Sequence, residues 1–318
     1  MRIQKRSLPA GILFIAATVA CTIYSMSASL VQTQRNSDNQ LQIVATTTML
    51  FDLTHEIAGE LAQVTALMSA GIDPHLYQAS AGDVSKMQMA DVVVYNGLHL
   101  EGRMGDVFHS LETLGKTVVC ASGGISAAEF INESSQPDPH IWFDVSLWKN
   151  AACEVASGLG AADSENRAAY EANLAAYLTQ LDELEQYIIQ RVSELEQSRR
   201  VLITAHDAFQ YFGRAYGFEV LGLCGINTGA EAGTRDVASL AQLVTEREIN
   251  AVFIETSVPV KNIDALLAAV RSRGFDVTLG GQLHSDSLGD ASSGGGTYIA
   301  AFRSNIDTIV GALKAGAL

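Results

Sequence analysis

The chain has 318 residues, 48% of them hydrophobic and 17% charged. That is too apolar for a disordered chain, and longer than one hydrophobic core usually supports, so two domains are expected. Its 35 carboxylates against 20 lysines and arginines give a formal net charge of −15, which excludes a nucleic-acid partner, whose phosphates demand a basic surface, and leaves a solvated acidic surface with a mild attraction for cations.

Residues 1–40 read as a targeting segment followed by a polar linker. "MRIQKR" is basic, "LPAGILFIAATVACTIY" carries no charge, and "SMSASLVQTQRNSDNQ" is small and polar. This is the pattern of a secretory signal or a retained N-terminal anchor, although the apolar stretch is short for a full membrane span. Cys21 is a candidate for lipid attachment, but Thr18 stands where an aliphatic residue usually precedes such a cysteine. In each case the body of the protein is expected outside the cytoplasm. Its remaining thiols, Cys120, Cys153 and Cys224, are odd in number and have no CxxC partner, which excludes a small disulfide framework and leaves buried thiols as the expectation.

From Leu41, short apolar runs alternate with amphipathic stretches. "LQIVATT", "QVTALMS", "DVVVYN" and "KTVVCAS" read as strands, and "LFDLTHEIAGELA", "AGDVSKMQMA" and "MGDVFHSLETLG" as helices. Continuous Val/Ile/Leu runs separated by helical periodicity predict parallel strands covered on both faces. Residues 163–198 break the pattern: without Gly or Pro, and rich in Ala, Leu, Glu and Gln, they predict one long helix starting at Asp163 or Ser164. Leu174, Tyr177, Leu181, Leu184 and Ile188 form its apolar stripe. The alternation then restarts with strands "RVLITA", "FEVLGL", "NAVFIET" and "FDVTLG". Between and after them come helices "AFQYFGRAYG", "TRDVASLAQLVTEREI", "NIDALLAAVRSRG" and "YIAAFRSNIDTIVGALKAG". The expected fold is α/β: two (β/α) lobes with parallel sheets, over 41–162 and 199–318, joined by a long rigid connecting helix over 163–198.

Ligands in such folds bind outside the carboxyl ends of the strands, and between two lobes that means the cleft. Four polar residues lie in loops that follow strands. His75 comes after "VTALMS", His206 directly after "RVLITA", and Asp286 shortly after "FDVTLG"; His140 closes the mixed stretch that opens at Ser122. Three imidazoles and a carboxylate make a standard donor set for a divalent transition metal. His75 and His140 each end an Asp-Pro-His phrase, in a chain with five prolines. Proline fixes its own φ and holds the preceding residue extended, so each histidine leaves a stiff turn. Asp73 and Asp138 then have two available roles, orienting backbone or accepting the far ring N–H. His284 stays open as a replacement for Asp286 or a neighbour to it. His55 and His109 fall within helices and His99 in a polar loop. "SSGGGTY" lacks the Lys-Ser/Thr of a phosphate loop, no GxSxG elbow is present, and "GLCGINTG" is out of context for a dinucleotide. Four protein donors would also leave no open position for a hydrolytic water.

Several long motifs in order, "GIDPHLYQASAGDVSKMQMADVVVYNGLHLEGRM", "DPHIWFDV", "VLITAHDAFQYFGRAYG", "IETSVP", "GGQLHSDSLG" and "GTYIAAFRSNIDTIVGAL", resemble the metal-binding solute-binding proteins of zinc and manganese ABC importers, the TroA-like and adhesin-type lipoprotein family. The resemblance covers nearly the whole chain after Leu41. It implies one cleft-bound Mn2+ or Zn2+ as cargo, with Fe2+ less favoured, and ligands at His75, His140, His206 and Asp286. It also implies a membrane permease and a cytoplasmic ATPase as partners. A monomer and an extracytoplasmic location, periplasmic or tethered to the outer face of the cytoplasmic membrane, are expected with it. Histidine rather than glutamate at His206 matches the zinc and mixed members. The His- and acid-rich loop of the zinc-specialised branch is absent between His75 and His140. Two other readings stay open from the residues alone: an extracytoplasmic metallohydrolase using the three histidines and a water, and an adhesin with a structural metal.

Overall fold

In the first lobe β1 (Leu41–Ala45), β3 (Val92–Tyr95) and β4 (Thr117–Cys120) pair in parallel, and β2 (Ala62–Ala66) extends the sheet beyond β1. Val92, Val93 and Val94 are all fully buried, as an uninterrupted apolar run requires when both faces of a sheet are covered. This computed structural model describes residues 40–133, 136–290 and 294–315. The expected targeting segment through residue 39, Cys21 included, and part of the Gly-rich run near the end lie outside the described residues.

Helices α1 (Thr48–Ala58), α2 (Ala81–Met89) and α3 (Gly105–Thr113) flank the first sheet. Thr47 caps α1 by accepting the Leu50 N–H, and Ser80 and Asp83 form a reciprocal capping box on α2, satisfying donors that a helix start leaves orphaned. The stretch before His140 contains a short antiparallel pair, β5 (Asn132–Glu133) with β6 (Gln136–Pro137).

The predicted long helix is shorter than the sequence reading placed it. Helix α4 (Val145–Ala162) ends at Asp163, and α5 begins only at Arg167 and runs to Val192, 26 residues, or about 39 Å at ~1.5 Å per residue. Asp163 closes α4 with its N–H on Leu159, while its carboxylate accepts from Asn166 and Tyr170. Asp, Ser and Asn side chains compete with helical bonding without any glycine or proline, a break that the absence of those two residues does not exclude. Most of the apolar stripe is nonetheless in place: Tyr177, Leu181, Leu184 and Ile188 are buried, joined by Tyr170 and Val192, while Leu174 is only partly buried.

In the second lobe β7 (Val201–His206) pairs in parallel with β8 (Glu219–Cys224), and β9 (Ala251–Glu255) with β10 (Thr278–Leu283); β7 lies alongside β9. Helices α6 (Gln210–Tyr216), α7 (Thr234–Glu246), α8 (Lys261–Arg271) and α9 (Tyr298–Ala315) complete it. Strand β10 starts three residues later than "FDVTLG" predicted, because its register against β9, with a bulge between Leu279 and Gly281, overrides local apolar content. That shift brings the strand end close to Asp286.

Residues 42–318 form one unit by their contacts, and α5 ties the lobes together. Asn173 donates to Ile57 O in the first lobe, while Tyr187 and Arg191 reach Asp307 on α9 in the second. Of the three described cysteines, all free, Cys224 is buried and Cys120 partly so, but Cys153 is exposed. The expectation of a buried thiol fails there because Cys153 falls on the face of α4 opposite Trp148, Ala152 and Val155. Among the described residues no helix is long and apolar enough to cross a membrane.

Candidate metal centre

The four residues named from strand-end logic meet at one point. His75, His140, His206 and Asp286 are all buried, and each offers a ligand atom within 4.8 Å of the others. His75 Nε2 lies 3.2 Å from His140 Nε2, His206 Nε2 3.2 Å from Asp286 Oδ2, His140 Nε2 3.5 Å from Asp286 Oδ1, and His75 Nε2 3.8 Å from Asp286 Oδ2. Donors held about 2.1 Å from a tetrahedral ion stand roughly 3.4 Å apart, so the set has the spacing of a single ion's coordination shell. His284 is not part of it. Its backbone is clamped by both amide atoms of Asn305. His55, His99 and His109 also lie outside the cluster.

Each candidate ligand is placed by its strand end or turn. His206 is the last residue of β7, a strand buried throughout. Gly222 on β8 lets the chain leave closely, since a Cβ there would come within 2.6 Å of the Asp207 backbone. The two Asp-Pro-His turns are built alike: Asp73 Oδ1 accepts His75 N–H at 2.8 Å, and Asp138 Oδ1 accepts His140 N–H at 2.9 Å. They then diverge. Asp138 also holds the His140 ring, Oδ1 to Nδ1 at 2.7 Å, leaving Nε2 for a metal. Asp73 does not hold the His75 ring; its second oxygen accepts a hydrogen bond from Thr228 of the second lobe at 2.5 Å.

Glu255, at the end of β9, stands against the candidate site and is not among the residues the sequence singles out. Its Oε1 accepts His206 N–H at 2.9 Å, and its Oε2 lies 2.6 Å from His206 Nδ1, a close contact out of line for a hydrogen bond. The signal was present, for Glu255 stands at the carboxyl end of "NAVFIE" just as His206 ends "VLITAH".

Burial and neighbouring charge pull against each other across the four residues. Burial holds the His75 imidazole down to about 3, an effect the Asp286 charge does not offset. Burial also opposes charge on His140 and His206, but Asp138 and Asp286 lift His140 to about 9, and Asp286 with Glu255 lifts His206 well above its ordinary value. Asp286, which burial alone would push up, is held well below the carboxylate range by His206, His140 and His75. Metal ligands must be deprotonated, so entry of a divalent cation here would displace protons from these rings.

The family described as "ZnuA: Zinc-uptake complex component A periplasmic" matches residues 43–312. The chain is 44% identical over 278 residues to the zinc-binding protein TroA of Treponema pallidum (strain Nichols), covering 87% of this chain and 90% of that protein. It is 40% identical over 313 residues to the manganese-binding lipoprotein MntA of Bacillus subtilis (strain 168), covering 98% of this chain and all of that one (100%). The solved structure of the periplasmic zinc-binding protein TroA from Treponema pallidum superposes with a TM-score of 0.85 at 43% identity, over 86% of this chain and 99% of that one.

Proposed function

The chain belongs to the ZnuA family of zinc-uptake complex component A proteins, and from that premise we propose that it captures one Mn2+ or Zn2+ between its lobes and delivers it to the permease of an ABC importer. The observation that carries this reading is the buried set of three imidazoles and one carboxylate at His75, His140, His206 and Asp286. The metal is cargo, and the four residues are its ligands. The general affinity order favours zinc over manganese at such donors, so a manganese role would rest on geometry or metal supply. The first lobe over 41–162, the connecting segment 163–198 and the second lobe over 199–318 are the working parts. The protein acts as a non-catalytic monomer outside the cytoplasm, periplasmic or tethered by its N-terminus. Its partners are a membrane permease and, through it, a cytoplasmic ATPase.

Elemental analysis of protein purified from its native envelope, followed by competitive titration of Mn2+ against Zn2+, tests the reading. One equivalent of transition metal is expected; protein that carries none and binds none tightly would sink it. Asp286→Ala separates it from a hydrolase that uses the histidines alone. Cargo affinity is expected to fall at least about a hundredfold, more than outer-shell losses, whereas such a hydrolase would keep its metal.

A further inference from the structure

The four ligands are not held equally. The second Asp-Pro-His is bound to the second lobe at many points. Tyr211 on α6 donates to Asp138 O at 2.9 Å and accepts Ile131 N–H at 3.2 Å. Trp142 Nε1 donates to Ser285 O at 3.0 Å, and Tyr298 on α9 donates to Trp142 O at 2.7 Å. His140 is fully buried in consequence. Although it comes from the first lobe in sequence, it is mechanically fixed to the lobe that carries His206 and Asp286.

The first Asp-Pro-His has a sparser hold. It follows a tight turn at Gly71, whose φ of 79° is in the left-handed region that favours glycine. Its neighbours Ile72 and Leu76 are exposed, and His75 is the least buried of the four ligands at 6% exposure. Among the described residues two hydrogen bonds fasten this loop to the second lobe: Gly71 N–H to Ser287 Oγ at 2.8 Å, and Thr228 Oγ1 to Asp73 Oδ2 at 2.5 Å. Thr228 is preset for its part. Asn227 Oδ1 accepts Gly229 N–H at 2.8 Å, an Asx turn that fixes the backbone around the threonine. Asp73 in turn spends its other oxygen on His75 N–H, so one carboxylate joins Thr228 directly to the backbone of a metal ligand.

We propose that Thr228 is a positioning residue for cargo retention: its hydrogen bond to Asp73 latches the His75 loop across the cleft, and opening that latch sets the rate at which the metal leaves. The inference rests on the metal-capture reading above and deepens it. At 2.5 Å the bond is short, and breaking it leaves a partly buried carboxylate oxygen without that partner. Its loss should act on dissociation more than association, because the latch forms only after the loop has closed.

The test measures release of Zn2+ into excess chelator by stopped flow, with one-to-one binding by the unaltered protein checked first. That check fails only if the capture reading itself fails. Given binding, Thr228→Val, which keeps the shape and loses the donor, is expected to speed release about tenfold with the association rate little changed. Thr228→Ser, which keeps the hydroxyl, should release close to the original rate. The unfolding midpoint of metal-free Thr228→Val controls for a merely structural effect and should stay near the original. Release within twofold of the original for Thr228→Val, or equal acceleration in Thr228→Val and Thr228→Ser, would overturn the latch while leaving metal capture intact.

Discussion

Glu255 does for His206 what Asp138 does for His140: one oxygen takes the backbone N–H and a carboxylate stands against ring Nδ1. A carboxylate in that place fixes ring orientation and keeps Nε2 as the metal-facing atom. Replacing Glu255 with Gln preserves shape but removes the charge. Metal affinity is expected to fall ten- to a hundredfold, as loss of such outer partners typically does, and competitive titration would read it. Unchanged affinity would mean that β7 alone positions His206. At this scale the four candidate ligand positions were legible from the sequence, since strand-end position and the stiff Asp-Pro turn are local properties, although these left His284 open beside Asp286. Thr228 and Tyr211 were not legible, because nothing in "INTG" or "FQYF" reveals which carboxylate or carbonyl the other lobe will bring to them. The role of Asp73 was half legible: its bond to the His75 backbone follows from the turn, and its bond to Thr228 only from the meeting of the lobes.

Where helices α1 and α9 meet, Asp52 of the first accepts the N–H of Tyr298, the opening residue of the second, at 2.9 Å. Burial pushes its carboxyl up to about 7, opposed by that Tyr298 hydrogen bond and aided by Glu56. The titratable groups facing it, Glu56 and the Tyr177 phenol of α5, offer no cation to offset this. The folded state therefore holds a proton that the unfolded chain releases near 3.8. The stability this confers is complete below that value and is lost as pH rises through about 7. A shift of this size amounts to on the order of a few kcal/mol. Asp52→Asn keeps an acceptor for Tyr298 and cannot ionise. Its stability relative to the unaltered protein, by urea unfolding without metal at pH 5 and pH 8, is expected to improve by that order toward pH 8. A difference independent of pH would refute the assignment. Element types were largely legible because apolar runs and helical stripes are properties of short windows. Element ends were less so: the Asp163 turn and the displaced β10 are decided by side-chain capping and by pairing with β9.

An aromatic chain crosses between the lobes behind the metal centre. Trp148 of α4 stacks on Tyr298 of α9 with ring centroids 5.2 Å apart, Tyr298 meets Phe302 at 4.3 Å, Phe302 meets Phe143 at 5.4 Å, and Phe143 meets Phe209 at 4.0 Å. Each such pair is worth ~0.5–1.5 kcal/mol beyond the area it buries, and a wide hinge opening would break them. It would also pull α5 from Ile57 at one end or Asp307 at the other. The hold is sparsest at the His75 loop, with two hydrogen bonds to the second lobe, so cargo exchange is expected to move that loop and leave the lobes nearly fixed. Solution scattering with and without Zn2+ should then give closely similar radii of gyration. Hydrogen exchange should slow on metal addition chiefly in residues 71–77 and 226–230. A large metal-driven compaction, of the kind produced by hinge closure, would show that α5 and the aromatic chain do not restrain the lobes. Protection spread evenly over both lobes would place the moving part elsewhere than the His75 loop.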